Sequence, residues 1–301
     1  MKNSINDAVK QKMITARFMI SIILFFSSLF YGETLFAKRV AINDIGELAE
    51  VLKNLPPDSL VIFDVDEVLV YPENVVQLQI AAPFWEATMA DLEKRRGKAT
   101  RDLLHSIMLL QSKWQLTDEE IPSLIQDLQR QKIRVLALTT FWTGKMGKLK
   151  SVEDWRSAHL KKHRIDFSIT ADISKSYFNI TTFDKVSGKA YPVYKDGIIY
   201  TNHYANKGEV LGAFLKKTNL NPKNIIFIDD KLKNIADIEN FCNTANIGYT
   251  GIHDNRIMKK HNTFNTTLGK YQFDYLENHY VWLSDLEAKK ILNIQMKIPN
   301  K

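Results

Sequence analysis

Six side chains in this sequence could work together on one reacting group: Asp64, Asp66, Thr139, Lys207, Asp229 and Asp230. Asp64 and Asp66 close the run "LVIFDVD", Thr139 closes "IRVLALT", and Asp229 and Asp230 close "NIIFIDD", while Lys207 opens "KGEVLGAFLKKT". A carboxylate at the end of an apolar run is costly unless it is paired or put to use. Phosphoryl transfer to a carboxylate would employ the whole set. Asp64 would attack phosphorus and carry the phosphoryl group, dividing one hard displacement into two easier ones. Asp66 would protonate the leaving alcohol and then deprotonate the attacking water. Clustered carboxylates repel a phosphate dianion, and Mg2+ bridging carboxylate and phosphoryl oxygens removes that repulsion. Asp230 is the expected direct ligand from the third run, with Asp229 sharing coordination or holding a metal-bound water. Lys207 would add fixed positive charge, and Thr139 a hydroxyl and an N–H for a phosphoryl oxygen.

Positioning these groups calls for adjacent strands that end together. The three runs carry branched apolar residues without polar alternation, as strands buried on both faces do. Helical patterns separate them, which predicts an α/β fold: a Rossmann-like parallel sheet with helices on both faces and its ligands beyond the carboxyl ends of the strands. "AINDIGELAEVLKNLPPDS" reads as an amphipathic helix ended by Pro56 and Pro57. Residues 71–116 read as a mainly helical cap insertion, with Leu103, Leu104, Ile107, Met108 and Leu110 on one broad face. The capping-box spacing of Thr117 and Glu120 predicts a helix from there to about Gln131. Residues 143–206 break the rhythm. Ser151 and Asp154 can open a helix, and Asp196-Gly197 lies between β-prone runs as a hairpin turn. This segment reads as a second insertion or an elaborated linker, between core portions at 38–70 and 117–290. Ser284 and Glu287 repeat the capping-box spacing ahead of a tail at 291–301.

Taken together, "FDVDEV", "LALT", "NKGEVL" and "IIFIDD", in that order, resemble the four motifs of the haloacid dehalogenase (HAD) superfamily. The likeness covers residues 58–250, and Val68 fills the place where that pattern has Thr or Val. The whole run, with "WLSD" near the C-terminus, also looks similar to an uncharacterised bacterial family within the superfamily. The resemblance implies a HAD-like core and, because Asp66 is present, a phosphatase or phosphotransferase rather than a dehalogenase. It implies Mg2+ held by Asp64, Asp229 and Asp230, with the backbone carbonyl of Asp66 as a further ligand. It also implies a cap that selects the substrate. Phe141 and Trp142 depart from the small or polar residues frequent after the second motif, and read as an aromatic lining or as core packing.

The rest of the sequence bounds this expectation. The 301 residues carry a formal net charge of +7, which suits an anionic partner such as a phosphorylated substrate. Cys242 is the single cysteine, so no intramolecular disulfide and no multi-cysteine metal site can form. "MKNSINDAVKQKMITAR", then the uncharged "FMISIILFFSSLFYG", then Ala37 have the order of an export signal, so residues 1–37 read as a signal peptide. An uncleaved anchor is the alternative, and would be the chain's one tie to a membrane. His159 and His163 have a metal-ligand spacing, but "HLKKHR" reads more simply as a solvated basic face. "KKHR" and "KKH" come with no recognition motif, so no nucleic-acid partner is expected. Glu67 reads as an exposed turn residue. The rival readings are a HAD-fold binding or effector protein without turnover, and a phosphotransferase to an acceptor other than water.

Overall fold

The computed structural model describes residues 37–170, 173, 175–181, 183 and 190–297. The expected signal segment lies outside the described residues except for Ala37. No helix among the described residues is long and apolar enough to cross a membrane.

The fold is a mixed α/β structure around an eight-stranded sheet. Its strands are β1 (Lys38–Ile42), β2 (Ser59–Phe63), β5 (Arg134–Thr139), β6 (Tyr177–Asn179), β7 (Val193–Lys195), β8 (Ile198–Tyr200), β9 (Asn224–Asp229) and β10 (Gly248–Asp254). Their spatial order is β1-β10-β9-β2-β5-β8-β7-β6. All neighbours from β1 through β8 run parallel, and β7 and β6 join antiparallel at one edge. From β2 the chain passes to β5, goes out to β6 at the far edge and comes back through β7 to β8, then crosses to the other side of β2 with β9. That reversal leaves a crevice beyond the carboxyl ends of β2 and β9, where open α/β sheets bind ligands.

The period of two along each strand divides the core. Val61 and Phe63 of β2, Val135 and Ala137 of β5, and Ile226 and Ile228 of β9 face one side. There they meet Leu48 of α1 (Ile45–Val51) and Ile121, Ile125 and Leu128 of α4 (Ile121–Arg130). Leu60, Ile62, Leu136, Leu138, Ile225 and Phe227 face the other side. They pack on Val210, Leu211 and Phe214 of α6 (Lys207–Thr218) and on Ile235, Ile238 and Cys242 of α7 (Leu232–Ala245). Burial on both faces is why these strands are apolar without alternation.

Between β2 and α4 the chain builds a helical insertion. β3 (Val70–Pro72) and β4 (Trp114–Leu116) pair antiparallel at its base. α2 (Ala82–Arg96) and α3 (Lys98–Gln111) rise from them, joined at Gly97, whose φ of 82° suits glycine. The remaining helices are α5 (Val152–Lys162), α8 (Arg256–Lys260), α9 (Thr266–His279) and α10 (Asp285–Lys297). Val76, Met89, Leu92, Leu104, Ile107 and Met108 of the insertion share a core with Phe273, Leu276 and Trp282. Residues 266–282 therefore brace the insertion rather than the sheet.

Several local readings are corrected. Residues 38–42 form an edge strand on β10, and the helix of that stretch is confined to Ile45–Val51, capped by Asp44. Thr117 does not cap α4. Its hydroxyl donates to the carbonyl of Val68 at 2.6 Å, tying the base of the insertion to the loop after β2. The hairpin turning at Asp196-Gly197 is not a separate insertion, because β8 pairs with β5 and extends the main sheet. His159 does not lie on a solvated face. Its ring stacks on Trp155 with an interplanar angle of 3° and stands edge-on to Trp114.

Candidate active site

The hydrogen bonds of β2 carry it to the crevice. β2 lies between β5 and β9, and the N–H of Asp64 donates to the carbonyl of Ile228 at 2.8 Å, so the residue leaving β2 is still held to β9. Asp64 and Asp229 thus emerge side by side. Lys207 reaches between them from the first turn of α6, and its Nζ lies 2.8 Å from Asp64 Oδ1 and 2.7 Å from Asp229 Oδ2. A capping box between Asn206 and Glu209 fixes that first turn. The lysine side chain is 1% exposed. Burial opposes its charge, yet the carboxylates of Asp229 and Asp64 hold its pKa above the ordinary lysine value.

Asp229 and Asp230 are neighbours with opposite surroundings. Asp229 accepts from Lys207, from Asn234 Nδ2 at 2.9 and 3.0 Å, and from the N–H of Lys231 at 2.8 Å. Both carboxylate oxygens of Asp230 are buried with no hydrogen-bond partner. Only its backbone carbonyl is engaged, accepting from His253 Nε2 at 3.0 Å. Burial, opposed by Lys231 and reinforced by Asp229, Asp64 and Glu67, drives its pKa well above the ordinary carboxylate range.

Oxygens of Asp64, Asp229 and Asp230 lie within 4.8 Å of one another. Three buried carboxylates, one of them bare of donors, are an oxygen-only ligand set suited to a hard divalent cation such as Mg2+. The residues present therefore fit such an ion.

The loop after β2 turns sharply. Leu69 and Val70 both donate to the carbonyl of Val65, and Glu67 takes a left-handed φ of 64°. The N–H of Glu67 donates to the carbonyl of Val70 at 2.8 Å and closes the turn. Glu67 is half-buried rather than an exposed turn residue. Its Oε1 accepts from the N–H of Gln79 at 2.6 Å, and burial pushes its carboxyl up to about 7. It anchors the start of the insertion.

Asp66 does not join the other three carboxylates. Its Oδ1 accepts from Arg156 Nη2 at 2.8 Å. The Asp66 side chain keeps 35% exposure while that of Arg156 has none. The guanidinium carbon lies 4.9, 5.1 and 4.8 Å from the ring centroids of Trp114, Phe141 and Trp155. Its Nε and Nη1 have no hydrogen-bond partner, so ring faces stand in for acceptors. Burial raises the pKa of Asp66, and Arg156 opposes the rise. Thr139 ends β5 at the same edge, and its Oγ1 accepts from the N–H of Phe141 at 3.2 Å, which leaves the hydroxyl proton to be donated elsewhere. Phe141 is packing for Arg156, whereas Trp142 is 42% exposed.

The sequence reading missed three residues of this arrangement. Asn234 sits in the first turn of the helix after Asp229, a position from which a polar side chain reaches the preceding strand end. Lys231 follows the acids directly. Arg156 had no local signal, because its partner is 90 positions away.

Residues 41–289 match the family described as "Protein of unknown function (DUF2608)". An uncharacterised protein of Rickettsia bellii is 24% identical over 212 residues, covering 67% of this chain and 72% of the relative. Uncharacterised proteins of Rickettsia conorii and Rickettsia felis are 23% and 24% identical over 244 residues, each covering 77% of this chain and 82% of the relative. With the match extending over most of its length, from β1 into α10, the chain belongs to the DUF2608 family.

Proposed function

We propose that this protein is an exported, Mg2+-dependent phosphomonoester hydrolase with a HAD-like core, working through an aspartyl-phosphate on Asp64. The observation that carries the reading is the pairing of opposites at one strand end. Lys207 pairs with both Asp64 and Asp229, while Asp230 keeps two buried oxygens with no donor. Buried carboxylate oxygens held only for structure are ordinarily hydrogen-bonded.

Asp64, Asp229 and Asp230 would hold the ion, which supplies the positive charge that lets a phosphate approach three carboxylates. Lys207 occupies Asp64 Oδ1, so Oδ2 is the attacking oxygen. As the new bond from Oδ2 to phosphorus forms, the ester P–O bond breaks and the departing oxygen takes a proton from Asp66. A water then attacks phosphorus and gives a proton to Asp66. The bond to Asp64 breaks, releasing inorganic phosphate and restoring both carboxyl groups. Arg156 holds Asp66 Oδ1 and so leaves Oδ2 to carry the proton. The hydroxyl of Thr139 donates to a phosphoryl oxygen.

Phosphate release from a panel of sugar phosphates, nucleotides, phospholipid headgroups and phosphopeptides tests this. Turnover is expected with Mg2+, none with chelator, and none from Asp64→Asn. An Asp64→Asn protein that turns over at the wild-type rate would overturn the covalent route.

A further inference from the structure

The molecule also has a chamber whose lining this chemistry does not use. A cavity of about 430 Å³ opens between α2, α3 and the loop after β5. Trp85, His105, Trp142, Met146 and His203 line it, with Lys145. The Trp142 ring centroid lies 4.6 Å from that of His203 and 5.9 Å from that of His105, and Trp85 stands edge-on to His105 at 5.5 Å.

The chamber's lining is close in sequence to Thr139 and Lys207, and packing links it to Asp66. Trp142 follows Thr139 by three residues, a reach of at most about 11 Å of chain. His203 precedes Lys207 by four residues. Across the interior, His105 meets Phe141 at 6.2 Å, Phe141 underlies Arg156, and Arg156 holds Asp66. Its wall is also fixed in place. The N–H of Lys148 donates to Ser106 Oγ at 2.9 Å. At Gly147, φ 53°, an added Cβ would lie 2.3 Å from Ser106 Oγ and 2.4 Å from the carbonyl oxygen of Asp102. Only glycine lets this loop press so closely on α3.

The chemistry of the walls selects an occupant. Lys98 and Arg101 at the rim are each paired with Asp102 at 2.5 Å, so they are not set out to receive a second phosphate. Asn202 is committed to Thr143 and to the carbonyl of Tyr191, so its amide does not reach for sugar hydroxyls. Burial pushes the pKa of His105 down to about 4, which keeps its ring neutral. What remains beside the exposed Lys145 is mainly a set of ring faces and edges, the environment in which aromatic rings stack.

We infer that the substrate is a phosphate monoester whose leaving group carries a planar aromatic ring, either an aryl group or a nucleobase, seated among Trp85, Trp142 and His105. This rests on the hydrolase reading at Asp64.

The test compares kcat/KM for phenyl phosphate, adenosine 5′-monophosphate and glycerol 3-phosphate, with Mg2+, in the wild type and in Trp142→Ala. The substitution should lower the preference for ring-bearing over ring-free ester at least tenfold. Whichever of phenyl phosphate and adenosine 5′-monophosphate loses more identifies the ring. Trp85→Leu should repeat the change from α2. A preference unchanged in both variants overturns the inference and leaves hydrolysis at Asp64 standing. If no ester is turned over, the hydrolase reading fails and the ring site is decided by tryptophan fluorescence. Saturable quenching by phenyl phosphate or adenosine 5′-monophosphate, absent with glycerol 3-phosphate and lost in Trp142→Ala, upholds it. No quenching overturns it.

Discussion

At the ends of β2 and β9 a buried lysine sits between two carboxylates; behind the loop after β5 a buried arginine sits among three aromatic rings. Both places take a full positive charge out of water. The first compensates it with opposite charges that an incoming cation could also engage. The second compensates it with ring faces and one carboxylate, which nothing diffusible can replace. The lesson is a division of labour. The carboxylate floor leaves Asp230 without a donor, while the aromatic wall encloses Arg156 and holds Asp66 in place.

The largest effect is expected where the floor loses its cation. Lys207→Met leaves Asp64 and Asp229 buried and adjacent with no counter-charge, and should cost about 3–5 kcal/mol in urea unfolding. Mg2+ should restore part of that loss, because the floor accepts a substitute. Should Mg2+ restore nothing, the floor takes up no cation and the contrast is lost.

Asp229→Asn should cost about 3 kcal/mol, since charge-assisted bonds from Lys207, Asn234 and Lys231 all weaken. Differential scanning calorimetry of that variant in chelator is the check, and a neutral result would mean that Lys207 rests on Asp64 alone.

The wall should show itself through pH. Burial, then the charges of Arg156, His163 and Lys162, push the pKa of His159 down to about 3. The folded protein therefore refuses a proton that the unfolded chain accepts near pH 6.5. The resulting stability is fully present above pH 6.5 and is lost as pH falls toward 3. The slope approaches about 1.4 kcal/mol per pH unit for this histidine. His105 adds a similar loss between pH 6.5 and about 4. Chemical denaturation at pH 7 and pH 5 should show a smaller drop for His159→Gln than for the wild type. An equal drop would place the titrating groups elsewhere.

The smallest effect carries the opposite sign. Asp230→Asn removes a buried charge with no donor and should stabilise the metal-free protein by about 1 kcal/mol. The same variant should gain less from added Mg2+ than the wild type does, as thermal unfolding with and without the ion would reveal. Destabilisation in chelator would contradict the picture of a floor that leaves Asp230 without a donor.

What could be read from the sequence follows the same divide. The strands that carry the floor are buried on both faces, so their continuous apolar runs mark them, and the acids stand at the exits of those runs. β1 was hidden because Lys38 and Arg39 on an edge strand look like a flank of the preceding apolar segment. β7 and β8 were visible as a hairpin through Asp196-Gly197, but no local signal says that such a hairpin docks on β5. The wall was illegible for a stronger reason. Trp114, Phe141 and Arg156 come from three separate segments, and only the folded sheet brings them around Asp66. Thr117 misled because a hydroxyl can serve either a helix end or a carbonyl nearby in space, and spacing does not distinguish them.

The packing of α9 and Trp282 on α2 and α3 bears on the order in which the molecule is completed. A chain made from its N-terminus has emerged through β10 before residues 266–282 exist to support the insertion. Until then the apolar inner faces of α2 and α3, with Met89, Leu92 and Ile107, lack their partners Phe273, Leu276 and Trp282. The sheet and its acids can form during synthesis, but the chamber between α2, α3 and the loop after β5 takes shape only when this late segment arrives. Shortening the chain to residue 262 should therefore yield a protein that retains the sheet, binds a hydrophobic dye at the naked insertion, and is cut by protease within α2 or α3.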